Sequence, residues 1–208
     1  MARPRSDANA IPTEVRILTA AENAFGQHGF ANTRLEDIAA AAGIRRPSVL
    51  YHFNSKELLY TAVVERVFQA LRETFAQSVT IDGEFSVRFM SLIEAYIAFL
   101  SERPAFAPLV LREVMNTTND GPVKKILESE LEPILDWIEQ WITLTGPKQI
   151  NPNVPLRSAI LHLGTHALVY SSAGVFQKTI WRNDPQIMLM AKHLFLIDDA
   201  RHPSAGTE

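Results

Sequence analysis

Side chains that can bind nucleic acid are concentrated in a short stretch near the N-terminus. Proline suits the first turn of a helix, so a short helix is predicted from Pro47 to Phe53. Donors at the N-terminal end of an exposed helix can meet base edges in the major groove of DNA, where Arg46 can bind guanine through two hydrogen bonds and Ser48 can contact either type of base. The side chains of Tyr51, His52 and Lys56, which follow, are better placed to contact phosphate oxygens of the DNA backbone. The candidate DNA-binding residues of this stretch are Arg45, Arg46, Pro47, Ser48, Tyr51, His52 and Lys56.

A second helix is predicted directly before this stretch. Thr33 and Glu36 have the spacing of a capping box, in which the threonine hydroxyl accepts from one backbone amide and the glutamate reaches back to another. The helix is therefore expected to begin near Arg34. Gly43 can adopt the left-handed conformation that a sharp turn between two helices requires. The two helices form a predicted helix-turn-helix, in which Thr33 and Arg34 contact the DNA backbone.

Three segments around these helices together resemble the DNA-binding domain of the tetracycline-repressor (TetR/AcrR) family of bacterial transcriptional regulators. The first segment is Ile17–Phe25 with Gly29-Phe30, the second is Thr33–Ile44, and the third is Tyr51-His52-Phe53 with Ser55-Lys56-Glu57. The resemblance covers about a quarter of the chain. It implies a homodimer that binds operator DNA and a small-molecule effector.

Two positions depart from the pattern of that family. Arg45 stands where Ser or Thr is common, and Leu50 stands where a tyrosine is usual, so that Tyr51 falls one residue later. Leu50 either contacts a thymine methyl group or packs inward. The operator sequence is therefore not transferable from the family.

Charge and length support two functional regions. The chain has 208 residues, 47% hydrophobic content and a net charge of −3. Residues 1–56 hold seven Lys/Arg against five Asp/Glu, a balance of +2, so residues 57–208 carry −5. We therefore predict a DNA-binding domain over 1–56 and an effector-binding and dimerisation domain over 57–208. The absence of cysteine excludes disulfides and thiolate zinc sites. No signal segment or membrane-spanning run is seen, which predicts a cytoplasmic protein without a membrane partner.

The fold class predicted for the whole chain is all-α, with about nine helices, because apolar residues recur at helical spacing and no strand pattern competes. Residues 1–10 and 202–208 are expected to be disordered ends, and 116–122 a loop. Beyond the helix-turn-helix, the predicted helices cover roughly 12–28, 55–79, 85–102, 104–115, 123–144, 156–177 and 185–197.

Small side chains at spacings of three and four residues predict a dimer interface on the helix over 156–177. Such a stripe lets two helix backbones approach closely, and the following helix offers an apolar face, so two such pairs can form a four-helix interface. The alternative is packing within one subunit. The candidate interface residues are Gly164, Ala167, Ser171 and Gly174 on the stripe and Ile187, Met190, Ala191 and Leu194 on the apolar face.

Aromatic residues in the middle of the chain are candidates for an effector pocket. A cavity lined by aromatic rings with a few polar tips is a usual small-molecule site, although such stripes are more often plain core. His162 and His166 have a spacing that could chelate a metal, but no third ligand is evident, so neither a metal nor a cofactor is predicted. The candidate effector-binding residues are Tyr96, Phe106, Trp137, Trp141, His166 and Tyr170.

The predicted function is a homodimeric transcriptional regulator, a repressor that leaves its operator when a small molecule of unknown identity binds. An architectural DNA-binding dimer without an effector is the alternative. An enzyme is not predicted, because the chain shows no nucleophile elbow, phosphate-binding glycine loop, zinc-protease helix or paired carboxylates.

Overall fold

The computed structural model describes residues 11–115, 122–182 and 186–197, and within these ranges the chain forms helices and no strand. A single isolated bridge joins Ile150 and Leu196. The all-α prediction is confirmed. No helix in the described ranges is both long and apolar enough to cross a membrane. The helices are α1 Thr13–Asn32, α2 Leu35–Ala41, α3 Arg46–Phe53, α4 Lys56–Ser78, α5 Phe85–Glu102, α6 Phe106–Met115, α7 Pro122–Thr145, α8 Leu156–Ser172, α9 Phe176–Ile180 and α10 Ile187–Phe195.

The described ranges contain ten helices where nine were predicted, because the helix expected over 156–177 is divided. Helix α8 ends at Ser172, and Gly174 follows with a φ of +52°, a left-handed conformation that favours glycine and stops an α-helix. A five-residue helix, α9, then begins at Phe176. The ends predicted to be disordered and residues 116–121 of the loop predicted over 116–122 lie outside the described residues, while Pro122 begins α7.

Helices α1 to α3 and the start of α4 form a small head with its own apolar centre. Ile17, Phe25, Ile38 and Val49 in this head are almost completely buried. Gly43 adopts the predicted left-handed conformation, with a φ of +67°, in the turn between α2 and α3. The head is therefore a helix-turn-helix supported by the long first helix.

The capping interactions differ from the predicted ones. Arg34 precedes α2 without a side-chain cap, while the Thr33 hydroxyl donates to the carbonyl oxygen of Gly29 at 2.7 Å. Thr33 thereby satisfies a carbonyl at the end of α1 instead of an amide of α2. At α4 the N-cap is Ser55, whose Oγ accepts from the Leu58 amide at 3.1 Å.

The remaining helices form a larger body around α4. This helix packs along α1, α5 and α7, while α8 packs on α6 and α10. Helix α6 also packs on α1, so one helix of the body lies directly on the head. The connection between head and body therefore consists of a continuous helix, α4, and a side-by-side contact, α1 with α6.

Candidate DNA-binding surface and ligand cavity

Helix α3 presents a polar surface because its apolar side chains anchor it to the head. Val49 and Phe53 are buried one turn apart, which directs the intervening residues outward. Tyr51 is 84% exposed, an unusual position for a large aromatic side chain unless it has a partner outside the subunit. Its ring meets the exposed His52 ring edge-on. The candidate residues Arg34, Arg45, Arg46, Pro47, Tyr51 and His52 are all exposed, and Ser48 and Lys56 are partly exposed.

Two basic side chains of this surface are held by neighbouring groups. Arg46 Nε lies 3.0 Å from Glu36 Oε1, an ion pair that links α3 to α2. The pair uses Nε, whereas a guanine edge is bound by the terminal nitrogens of the guanidinium fork. The Lys56 ammonium lies 4.5 Å from the centre of the Phe30 ring and donates to the Ala31 carbonyl oxygen at 3.4 Å.

Thr33 does not share this surface. It is 3% exposed, and its hydroxyl is used inside the head by carbonyl oxygens of α1. The assignment of Thr33 to the DNA-binding residues is therefore corrected: its side chain secures the junction between α1 and α2.

The body contains a cavity of about 240 Å³ enclosed by α4, α5, α6, α7, α8 and α10. Each of these helices contributes apolar side chains, and Val114, Leu161 and Thr165 are lining residues that are also exposed, which places the opening between α6 and α8. Representative lining residues are Phe68 and Phe75 of α4, Phe89, Ile93 and Tyr96 of α5, Phe106 and Val110 of α6, Leu131, Ile134, Leu135, Ile138 and Ile142 of α7, Leu163, Gly164 and Leu168 of α8, and Phe195 of α10.

Two of the six predicted effector residues, Tyr96 and Phe106, line this cavity. The other four lie elsewhere in the body. Trp137 and Trp141 stack on each other, and Trp141 also packs on Phe85. His166 and Tyr170 both meet the Trp181 ring edge-on, which forms a separate aromatic cluster beside α9.

The aliphatic residues of α7 are the part of the site that the sequence analysis missed. Leu131, Ile134, Ile138 and Ile142 follow helical spacing, so their stripe was visible in the sequence. Acidic residues and the two tryptophans are interspersed with these aliphatic residues, so the stripe is less conspicuous in the sequence than the aromatic side chains.

The Tyr96 hydroxyl is one of two polar side-chain groups among the described lining residues, together with the Thr165 hydroxyl. Tyr96 Oη donates to the Gly164 carbonyl oxygen at 3.3 Å. Burial raises the pKa of Tyr96 above its ordinary value, so this hydroxyl stays neutral. The described part of the cavity wall is therefore uncharged.

The small-residue stripe of α8 faces its own subunit. Gly164 accepts the Tyr96 hydrogen bond, Ala167 is 2% exposed, and the Ser171 hydroxyl donates to the Leu100 carbonyl oxygen at 3.5 Å. Gly174 lies beyond the end of the helix. On α10, Ile187 and Ala191 are buried within the subunit, whereas Met190 and Leu194 are partly exposed. The buried members have no surface to offer a partner, whereas the exposed Gly174 and the partly exposed Met190 and Leu194 do.

Helix α6 joins the cavity wall to the head through polar contacts at its far side. The Arg112 guanidinium donates to the Phe25 carbonyl oxygen at 3.0 Å, and Tyr60 Oη donates to Glu113 Oε1 at 2.7 Å. Burial, followed by the bond to Glu113, raises the pKa of Tyr60. Because α6 also carries lining residues such as Val110, this helix contacts both the cavity and α1.

The two histidines of α8 have different surroundings. His162 is exposed and His166 packs on Trp181. In the part of the chain that the structure describes, no group of three or more His, Asp or Glu side chains gathers as a metal site requires.

Comparison with known proteins finds sequence relatives of this chain and a family model that matches its head. Residues 17–63 match the model of bacterial regulatory proteins of the tetR family. The HTH-type transcriptional regulator RutR of Escherichia coli (strain K12) is 33% identical over 133 residues, which cover 59% of this chain and 60% of RutR. The match thus spans less than two thirds of that relative.

Two solved structures share the fold of the described chain. The fatty acid degradation regulator FadR from Bacillus halodurans has a TM-score of 0.69 at 15% identity, covering 89% of this chain and 96% of FadR. AibR, in complex with isovaleryl coenzyme A and operator DNA, has a TM-score of 0.67 at 16% identity, covering 88% of this chain and 98% of AibR. The matched residues, 17–63, are the helix-turn-helix head, so this head is similar to that of the bacterial regulatory proteins of the tetR family.

Proposed function

We propose that this protein is a DNA-binding transcriptional regulator, a repressor that is released from its operator when a small molecule fills the cavity of the body. The observation that carries the proposal is the exposed helix α3, which presents Arg46, Tyr51 and His52 on a folded head. The cavity favours a ligand-responsive regulator over an architectural DNA-binding dimer, which needs no such space.

The relatives support this function in two ways. RutR is named a transcriptional regulator, and the head of this chain matches the tetR family model. AibR has been crystallised with both a small-molecule thioester and operator DNA, so its fold accommodates the two kinds of partner. We extend both properties to this chain as a proposal that direct binding measurements can test.

The first prediction concerns base recognition by α3. Arg46→Ala is expected to cost about 1–3 kcal/mol of binding free energy at the operator and to relax the preference at one base pair. Lys56→Ala is expected to weaken binding to all sequences alike and to reduce the slope of log affinity against log salt by about one unit. Fluorescence anisotropy titrations of operator and scrambled duplexes at several salt concentrations measure both effects.

Glu36→Gln is the matched control for Arg46→Ala. It removes the ion pair on Arg46 Nε but leaves the guanidinium in place, so the base preference should be retained. If Arg46→Ala weakens operator and scrambled duplexes equally, Arg46 contacts phosphate and the assignment to base recognition is wrong.

We propose a two-fold dimer that uses exposed apolar residues of α8 to α10. Val175 is 84% exposed, Phe176 60% and Ile180 64%, and Val169 and Leu189 on the flanking helices are also exposed. Such a concentration of large apolar side chains marks an interaction surface. A two-fold dimer also provides the paired recognition helices, about 34–36 Å apart, that read half-sites one turn apart.

The second prediction tests this surface. Phe176→Glu with Ile180→Glu is expected to convert the dimer to monomers, because interface anchors contribute about 2 kcal/mol or more each and two-fold symmetry repeats the change in both subunits. Size-exclusion chromatography with light scattering at micromolar concentration measures the mass. Val87→Glu, a change at a valine on α5 that is 53% exposed, is the control and should remain dimeric. A wild-type monomer at that concentration contradicts the dimer proposal.

A further inference from the structure

We propose that the cavity binds an uncharged, predominantly apolar molecule whose hydrogen-bonding group meets the Tyr96 hydroxyl, and that it rejects ligands that would bury a charge. The proposal concerns what the cavity binds, and it rests on the proposed regulatory function only for the effect of the ligand on DNA.

The lining supplies almost nothing that can hold a charged group. Of its 24 described residues, Tyr96 and Thr165 alone have polar side chains, and no Lys, Arg, His, Asp or Glu is among them. Tyr96 lies inside and Thr165 lies at the opening. An apolar body therefore fits the interior, where contact area provides the binding free energy.

The arginines on the surrounding helices are already engaged. Arg72, Arg103 and Arg157 form ion pairs with acidic side chains, while Arg88 and Arg112 donate to backbone carbonyl oxygens. Turning one of them inward would break a bond that joins two segments of the chain. Among the described lining residues, a carboxylate or phosphate inside the cavity would therefore find no counter-charge.

Burying a charge without a counter-charge costs much more than burying a neutral hydrogen-bonding group. The Tyr96 hydroxyl donates to the Gly164 carbonyl oxygen and retains lone pairs, so it can accept from an N–H or O–H of the ligand. This geometry selects a neutral molecule with a donor. The phosphates of a coenzyme A thioester, the ligand found with AibR, would have to remain outside.

A pair of fluorescent compounds that differ by one charge tests the proposal. N-phenyl-1-naphthylamine is uncharged and carries one N–H donor; 8-anilinonaphthalene-1-sulfonate has the same ring system with a sulfonate. We expect the full chain to bind the neutral compound at least about tenfold more tightly than the sulfonate. Fluorescence titration measures both affinities. Equal affinities for the cavity would overturn the charge selection.

Cavity-filling variants separate this binding from adsorption to surface patches. Ile93→Trp and Leu135→Trp intrude from α5 and α7 respectively, and at least one is expected to fold, as judged by circular dichroism, and to lose the tight binding of the neutral compound. Leu144→Trp, at a residue that is 71% exposed and does not line the cavity, is the control and should bind normally. Unchanged binding in a folded, filled variant would place the compound elsewhere and overturn the proposal.

Tyr96→Phe tests the polar contact alone. Its affinity for the neutral compound should fall about two- to tenfold, the usual range for one hydrogen bond between neutral groups. No change would contradict the contact with Tyr96. Operator binding is measured separately with and without the neutral compound. Binding in the cavity without any change in operator affinity would leave the ligand class standing and would contradict the effector mechanism.

Discussion

Replacing Gly26 by alanine is expected to destabilise the protein by about 1–3 kcal/mol or more, whereas the same replacement at Gly164 is expected to stabilise it by up to about 1 kcal/mol. Both glycines lie inside helices, α1 and α8, and both substitutions add one methyl group. The opposite signs arise from what that methyl group would meet.

Gly26 lies where α1 of the head contacts the start of α6. A Cβ atom built on it would be 2.6 Å from both the Cβ and the carbonyl oxygen of Ala105, and that carbonyl belongs to the backbone. This steric clash can be relieved only if α1 and α6 move apart. No atom lies within 4 Å of a Cβ built on Gly164, so alanine there brings only its better helix propensity.

Urea unfolding followed by circular dichroism measures both effects. A destabilised Gly164→Ala would show that free space in one subunit does not predict the sign, and an unaffected Gly26→Ala would show that the contact between α1 and α6 yields easily. Operator affinity of Gly26→Ala, measured under conditions where it is folded, should also fall, because the displaced α1 carries the head.

The head could be predicted because its signals are local. Gly43 and Pro47 define the turn and the start of α3, and Val49 and Phe53 define the buried side of that helix. The exception is Thr33, where the hydroxyl bonds to the end of the preceding helix instead of forming the predicted capping box. Gly29 adopts a φ of +75° near the end of α1, and the Thr33 hydroxyl binds its carbonyl oxygen instead.

The cavity was located only in part because its residues lie on several helices whose rotation is not encoded locally. On α7 the prediction chose Trp137 and Trp141, while the cavity uses Ile138 and Ile142. One residue along a helix is a rotation of about 100°. Aromatic character does not distinguish between such faces, and the packing against α4 and α8 decides.

The small-residue stripe of α8 illustrates the same limit. Its spacing predicts that α8 packs against another helix, and it does: the Ser171 hydroxyl bonds to α5 and Ala167 is buried. The spacing carries no information about whether the partner helix belongs to the same chain. The exposed α9, a separate helix only because Gly174 ends the preceding turn, could not be foreseen from the continuous helical pattern.

Filling the cavity by mutation is expected to reproduce the effect of the effector. Ile93→Trp should lower operator affinity about 5- to 150-fold, which corresponds to a coupling free energy of about 1–3 kcal/mol. A ligand or side chain alters DNA binding only by favouring one of two arrangements of the protein. We propose that the second arrangement has α6 displaced and, with it, α1 and the recognition helix.

The contacts of α6 supply the test of this route. Arg112→Met removes the donor to the Phe25 carbonyl oxygen, so in the Ile93→Trp background it should reduce the loss of operator affinity, while having a smaller effect alone. A double-mutant cycle in anisotropy titrations measures this coupling, with Leu144→Trp as the exposed control. Additive effects of Ile93→Trp and Arg112→Met would exclude the Arg112 contact as the route. Wild-type operator affinity in a folded Ile93→Trp variant would contradict the switch itself, because an occupied cavity would then leave the spacing of the two heads unchanged.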